Sequence, residues 1–327
     1  MAAPSILFGM RRTQPPSRVR VRAPGGIGNI GPGLDILGCA VTGVADEVEL
    51  AWSDEPYRGQ LRIADPGHPE LPTDPARHSS AIAALAVLRI AGVRPERSLV
   101  MHAHKGLPLS GGQGGSAASA VAGAVAMNAL LGDPLDERAL LSAALDAESS
   151  VAGRHADNVA PALLGGVVLV RSVDPLDVVR LPVPSALRVV LTHPEQRLRT
   201  AEARAVLPKT IDHALFIQQS ANIAAMVAAF ASGDLELLRR ALDDRIAEPA
   251  RAPLLPGFSD AKAAALGAGA LGCSISGAGP TSFAFAPDDE TAARVAAAMC
   301  AAYHARDVRT SSRIERIDER GARLLSS

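Results

Sequence analysis

The chain has 327 residues, 48% of them hydrophobic, enough for a substantial core and a length that suits two domains or one large one. A formal net charge of −1 gives no footprint for nucleic acid or for an anionic membrane surface. The three cysteines (Cys39, Cys273 and Cys300) are odd in number and far apart, with no CxxC, which argues against a disulfide framework or zinc site and fits a reducing, cytoplasmic setting.

The first apolar patch, SILFGM, is followed rather than preceded by Arg11 and Arg12. It is too short for a membrane span and wrongly flanked for a signal peptide. With Pro15, Pro16 and Ser17 next, residues 1–17 read as a disordered leader. Arg18 to Ala23 alternates Val with Arg, the period of a half-exposed strand, and Cys39 to Trp52 is a longer strand-like run. Ser79 to Ala91 is apolar all round and reads as a buried helix. Arg97 to Lys105 alternates again and feeds a glycine-rich loop at 108. Helices are predicted over Ser116 to Leu131, ended by Gly132 and Pro134, and over Pro134 to Ser150. Gly165 to Arg171 returns as a strand.

From Pro184 onward, Leu187 to Thr192 reads as a strand. Helices follow at Ile211 to Ala231, Asp234 to Ala247 and Ser259 to Leu266. Strands Gly272 to Ser276 and Thr281 to Ala286 flank a Gly-Ala-Gly-Pro turn, before a helix at Asp289 to Tyr303 and a strand at Ser312 to Asp318. Alternating strands and helices with short turns make a mixed α/β chain.

Two glycine-rich segments invite an anion. Gly26, Gly28 and Gly31 satisfy GxGxxG after a strand, but a dinucleotide site needs a helix to start inside the motif, and Pro32 and Gly33 oppose one there. Pro108 to Ser119 is better placed. Gly111, Gly112, Gly114 and Gly115 let the backbone approach an anion, and the helix starting near Ser116 adds free N–H groups and a positive dipole end. No GxxxxGK[ST] is present, so this is not a Walker loop.

PGGIGNIGPGLD (24–35), PLSGGQGGSAAS (108–119) and SGAGPTSFAF (276–285), in this order and spacing, resemble the three motifs of the GHMP small-molecule kinases. HADNVAPALLGG (155–166) resembles their homoserine kinase branch, and the likeness runs from about Arg18 to the C-terminus. It implies an α/β (α+β) fold: residues 18–183 as an ATP-binding domain like the second domain of ribosomal protein S5, and 184–327 as a ferredoxin-like domain. The implied reaction moves the γ-phosphoryl group of ATP to the side-chain hydroxyl of L-homoserine, with Mg²⁺, in threonine biosynthesis. A homodimer is the assembly it allows.

The resemblance also assigns residues. ATP would be cradled by Pro108, Ser110, Gly111, Gly112, Gln113, Gly114, Gly115, Ser116 and Ser119, and Mg²⁺ held by Ser116 and Glu148. Asn29 and Asp35 match positions that hold the substrate ammonium, and His155, Asp157 and Asn158 contact substrate, with Asn158 orienting its hydroxyl. Thr200 and Arg204 lie in one substrate segment and Arg251 in another, the two arginines meeting the carboxylate. Lys105 would neutralise phosphate charge, and Asp35 is the one base within reach of the hydroxyl. Departures are visible too. Gln113 stands where the family loop carries Leu, Gly115 replaces its first serine, glycines occupy positions 25, 26 and 28, and Arg77 and His78 stand near an expected Asn. Glu148 lies one residue closer to the histidine than in the family pattern. Competing readings are a GHMP kinase acting on mevalonate, a sugar or another amino alcohol, and a non-catalytic ligand sensor on the same fold.

Overall fold

The computed structural model describes residues 15–56 and 61–325. The expected leader therefore lies outside the described residues except for its last three, of which Ser17 accepts a hydrogen bond from Trp52 N at 3.0 Å. The first half runs β1 (Arg18–Gly28), β2 (Leu37–Pro56), β3 (Leu61–Asp65), α1 (Ser79–Ala91), β4 (Arg97–His104), α2 (Gly115–Leu130), α3 (Glu137–Val151), α4 (Ala156–Leu164), β5 (Val167–Val173) and β6 (Leu176–Leu181). The second half runs β7 (Arg188–Pro194), α5 (Thr200–Ala205), α6 (His213–Ser232), α7 (Leu235–Ala241), α8 (Ala247–Arg251), a short 3₁₀ turn, α9 (Phe258–Gly267), β8 (Gly272–Ile275), β9 (Ser282–Ala286), α10 (Asp289–His304), β10 (Thr310–Glu315) and β11 (Arg323–Leu324).

Among the described residues the first sheet has seven strands. The order is β11-β1-β2-β4-β3, and β5 joins it through β2 and carries β6. The 20 residues of β2 make this branching possible, because β1 pairs along one side from Gly38 to Ala51 while the other side pairs first with β5 and then with β4. The second sheet, β10-β7-β9-β8, is antiparallel throughout. Among the described residues the last strand, β11, returns to the first sheet and pairs with β1.

Small side chains decide the packing of the first half. Every residue of α2 from Ala117 to Leu130 is buried, so this helix forms the centre of the core rather than an amphipathic cover. A second apolar cluster joins the halves, with Ile27, Leu37 and Val167 packed together with Phe230, Phe283 and Phe285. Phe230 meets Phe285 edge-on at 6.3 Å, a favoured aromatic geometry. α9 and α10 cover the other face of the second sheet. α6 is long and apolar enough to cross a membrane, yet it carries Met226, Ala229 and Phe230 into the shared cluster and hydrogen-bonds Asp244 and the backbone of Pro32 and Asp243 through Gln219 and Asn222.

Two expectations change. The helix expected over 234–247 stops at Ala241, because the buried Asp244 carboxylate accepts from the backbone N–H groups of Ile246, Ala247 and Glu248, which starts a separate helix, α8. Five further elements (β3, α4, β6, α5 and β11) are also present that the pattern did not announce. Four of them, at two to six residues each, carry too little period to be read, and α4 holds Pro161 within its nine residues.

Candidate active site

A cavity of about 550 Å³ opens between the halves. One wall is the loop from Pro108 to Ser116, and opposite it lie Arg197 to Arg204, Arg251 and the turn at Gly277 to Gly279. The loop follows β4 and ends in α2, whose first N–H groups are left without helical partners. Gly112 and Gly114 have φ of 72° and 65°, and Ser110 takes the left-handed region at 51°. The result is a run of backbone amides at the positive end of a buried 16-residue helix.

At the helix start the Ser116 hydroxyl donates to Glu148 Oε1 at 2.8 Å. Glu148 lies near the end of α3, is 3% exposed and leaves Oε2 buried with no hydrogen-bond partner among the described residues. Burial pushes its carboxyl up to about 7, against the pull of Ser116. A buried, half-orphaned carboxylate beside a hydroxyl is a hard-oxygen pair that fits a divalent cation such as Mg²⁺. The tight turn after α3 places Ala152 O 3.1 Å from His155 Nε2.

Lys105 borders the cavity and is held there by protein groups. Its ammonium pairs with buried Asp46 and also donates to Gly115 O (2.7 Å) and Ser119 Oγ (3.0 Å). Asp46 accepts in addition from Ser119 Oγ and from the backbone N–H of Gly106 and Leu107. Lys105 and Ser119 therefore brace the loop from beneath, although both still border the cavity. Asp46 was not foreseen. Its signal was an acidic residue within an apolar strand, AVTGVADEVEL.

At the other end, Arg204 grips Asp35 through two nitrogens (Nη2 to Oδ1 at 2.5 Å, Nη1 to Oδ2 at 3.2 Å) and also meets His155 Nδ1 at 2.9 Å. Burial works against the Asp35 charge, but His155 and Arg204 outweigh it and hold the carboxyl down at about 2. A guanidinium only donates and the Ala152 carbonyl only accepts, so those two contacts suit a ring with its proton on Nε2. The Asp35 carboxylate, 3.5 Å from Nδ1, favours the charged ring and raises the pKa of His155.

Asn29 differs in detail from its expected role. Its Oδ1 accepts from Asp35 N (2.8 Å) and its Nδ2 donates to Gly277 O (3.0 Å), so it mainly shapes the turn that presents Asp35. Asp157, expected to touch substrate, is 1% exposed, does not border the cavity and accepts instead from Asn29 N at 2.9 Å. The fit is close enough to require glycine at 28, where a Cβ would stand 2.5 Å from Asn158 Nδ2 and 2.7 Å from Asp157 Oδ2. Asn158 and Thr200 both face the cavity. Arg251, 3% exposed, spends Nε on Ala203 O (3.1 Å) and Nη1 on Gly277 O (2.9 Å), which leaves its Nη2 over. Asp35, His155 and Asp157 also lie close enough to hold a metal ion, but Arg204 already engages the first two and the Asn29 amide the third.

The arrangement is an amide-lined anion loop with a hard-oxygen pair at one end and an acid–base pair of opposite charges at the other. The chain matches the family models "GHMP kinases N terminal domain" over 79–166 and "GHMP kinases C terminal" over 226–305. It is 42% identical over 315 residues to the homoserine kinase of Chlorobaculum tepidum, covering 92% of this chain and 96% of that one. It is 41% identical over 315 residues to the homoserine kinase of Arabidopsis thaliana, covering 94% and 85%. The crystal structure of homoserine kinase from Cytophaga hutchinsonii superimposes with a TM-score of 0.91 at 39% identity, over 97% of this chain and all of that one. Mevalonate kinase from L. major shares the fold, with a TM-score of 0.70 at 17% identity. Geometry, family models and relatives agree, and the chain belongs to the homoserine kinases of the GHMP kinase family.

Proposed function

We propose that this protein transfers the γ-phosphoryl group of ATP to the side-chain hydroxyl of L-homoserine, in threonine biosynthesis. The observation that carries the reading is the Asp35–Arg204 pair at the far end of a cavity that begins at the amide loop. A zwitterionic amino acid replaces that pair charge for charge, its ammonium on Asp35 and its carboxylate on Arg204 and Arg251. A substrate with only one of the two charges leaves an ion without its partner, which disfavours mevalonate and sugars.

The residues supply positioning and charge rather than covalent chemistry. The loop amides and the start of α2 receive the phosphates. Asn158 orients the acceptor hydroxyl. Asp35, occupied by the substrate ammonium, acts through its charge rather than as a base. Ser116 and Glu148 would hold Mg²⁺, which would offset the charge of the phosphates. Lys105, paired with Asp46, holds the loop from beneath through Gly115 O and Ser119.

The division of the chain near residues 183 and 184, a homodimeric state and a cytoplasmic, membrane-free location belong to the same proposal. Supporting the last, α6 carries Met226, Ala229 and Phe230 into the shared apolar cluster. The test is ADP release from ATP and Mg²⁺ across homoserine, mevalonate, galactose and threonine. Homoserine should lead the panel, and Glu148→Gln should abolish most of the turnover while leaving binding of free homoserine nearly unchanged. Turnover led by mevalonate or galactose, or none with any alcohol, overturns the reading.

A further inference from the structure

Gln113 occupies the middle of the phosphate loop, yet its side chain is 2% exposed and turned toward the second half of the chain. Its Oε1 accepts from Arg313 Nη2 at 2.6 Å, and its Nε2 donates to Thr281 Oγ1 at 3.0 Å. Arg313 is a pure donor, which fixes the orientation of the amide. The single proton of the Thr281 hydroxyl goes to Gly111 O at 2.5 Å, since a carbonyl only accepts. The remaining partner of that oxygen, His193 Nδ1 at 2.9 Å, therefore donates. Next to it, Ser276 Oγ donates to Gly112 O at 2.6 Å, and a Cβ at Gly112 would stand 2.5 Å from Ser276 O. Three consecutive loop residues, 111 to 113, are thus tied to the turn between β8 and β9. Gln113 O also accepts from Gly26 N at 3.0 Å, which links the same loop to β1 and the substrate turn beyond it.

We propose that Gln113, Thr281 and Arg313 form a strut that sets the position of the phosphate loop, making Gln113 and Arg313 positioning residues for phosphoryl transfer rather than ligands of ATP. An apolar side chain at position 113 could make neither bond. In this chain the loop's place is set by a buried polar chain ending in an arginine on β10. Burial of such a group is tolerated only while each partner stays in place, so the contact fixes one loop geometry. The proposal rests on the kinase reading given above.

The experiment compares Gln113→Leu, Arg313→Met, Arg313→Lys and the Gln113→Leu/Arg313→Met double variant in the full chain. It measures kinetics in ATP and homoserine, melting temperature, and amide hydrogen exchange over residues 108–116. Gln113→Leu and Arg313→Met should each lower kcat/KM for ATP by about tenfold, with the homoserine KM within about twofold, because displaced loop amides misplace the transferring phosphoryl group. Exchange over 108–116 should rise in both. The double variant should lose no more than the worse single, as both remove one contact. Arg313→Lys, which keeps a donor, should recover part of the loss. Unchanged ATP kinetics and exchange in the singles overturn the strut. So do losses that multiply in the double variant, or ATP and homoserine parameters that fall together in step with melting temperature. If the wild-type chain shows no homoserine-dependent ADP release, the kinase reading fails, and the exchange measurement still decides the strut.

Discussion

Arg204 and Arg251 were assigned one substrate carboxylate, but their surroundings differ. Arg251 is buried on two backbone carbonyls, while Arg204 is partly exposed and paired with Asp35. Arg251→Ala should weaken apparent homoserine affinity by about 30-fold or more, as expected when one partner of a buried charge pair is removed. Arg204→Ala should cost less, about tenfold, since it also frees Asp35 for the ammonium. Asp35→Asn should lower homoserine affinity and reduce the preference for homoserine over its analogue lacking the amine. Steady-state KM with both compounds checks this, and equal losses for the two would place Asp35 on the hydroxyl. A second prediction at this scale concerns Asp157. Burial, then the Asp35 charge, raises its carboxyl from 3.8 to about 6. A raised carboxyl means that the folded chain holds the proton more tightly than the unfolded one. The contribution of this group to stability is thus greatest below about pH 4, falls as pH rises to about 6, and is level above, by an amount on the order of 3 kcal/mol. Asp157→Asn keeps an acceptor for Asn29 N–H and should flatten that part of the stability profile, measured by urea unfolding from pH 4 to 7.

At the scale of elements, α8 shows how a short helix is held in place for the site. Asp244 Oδ1 accepts from Ile246 N and Ala247 N, and Oδ2 from Glu248 N, while Gln219 of α6 donates to the same carboxylate. This cap sets the path that delivers Arg251. Asp244→Ala should destabilise the fold by about 1–2 kcal/mol and raise the homoserine KM while leaving that for ATP nearly unchanged. Equal effects on both KM values would show a general loss of packing. The contrast between α8 and the long helices also explains what was legible. α1, α2 and α10 lie within about a residue of their sequence-based bounds because unbroken apolar or Ala-rich runs and end signals such as Gly92 and Asp288 are local. The break after Ala241 rests on Asp244, whose three backbone partners are local but whose carboxylate is also held by Gln219 of α6, a contact that no local window contains. The site divides in the same way. Glycine loops, Ser116 and the arginines were readable as residue types in a pattern. The bracing of Lys105 by Asp46, and the turning of Gln113 toward Arg313, depend on residues 59 and 200 positions away.

Across the whole molecule, the two sheets are joined by more than the chain that connects them. Ile27 and Leu37 of the first sheet share one apolar cluster with Phe230, Phe283 and Phe285 of the second half. Val41 bridges to Ile317, and β11 closes on β1, so the last described residues stabilise the first. The substrate turn at Asn29 is likewise tied to Gly277, between β8 and β9. Because the cavity is built from both halves, neither half contains a complete site. This continuity predicts that the halves unfold together, although a chain of this length often unfolds in parts. Phe285 is fully buried at the centre of the shared cluster, and Phe285→Ala should destabilise by about 3–5 kcal/mol. The loss should appear as one calorimetric transition moved down by roughly 6 °C or more. Amide exchange should rise in β1 around Ile27 as well as in β9, although the substitution lies in the second half. Two resolved transitions, with only the one belonging to the second half displaced, would show that the halves are separately stable. The shared cluster would then be an interface that aligns two finished domains, and the substrate turn would keep its geometry when the second sheet opens.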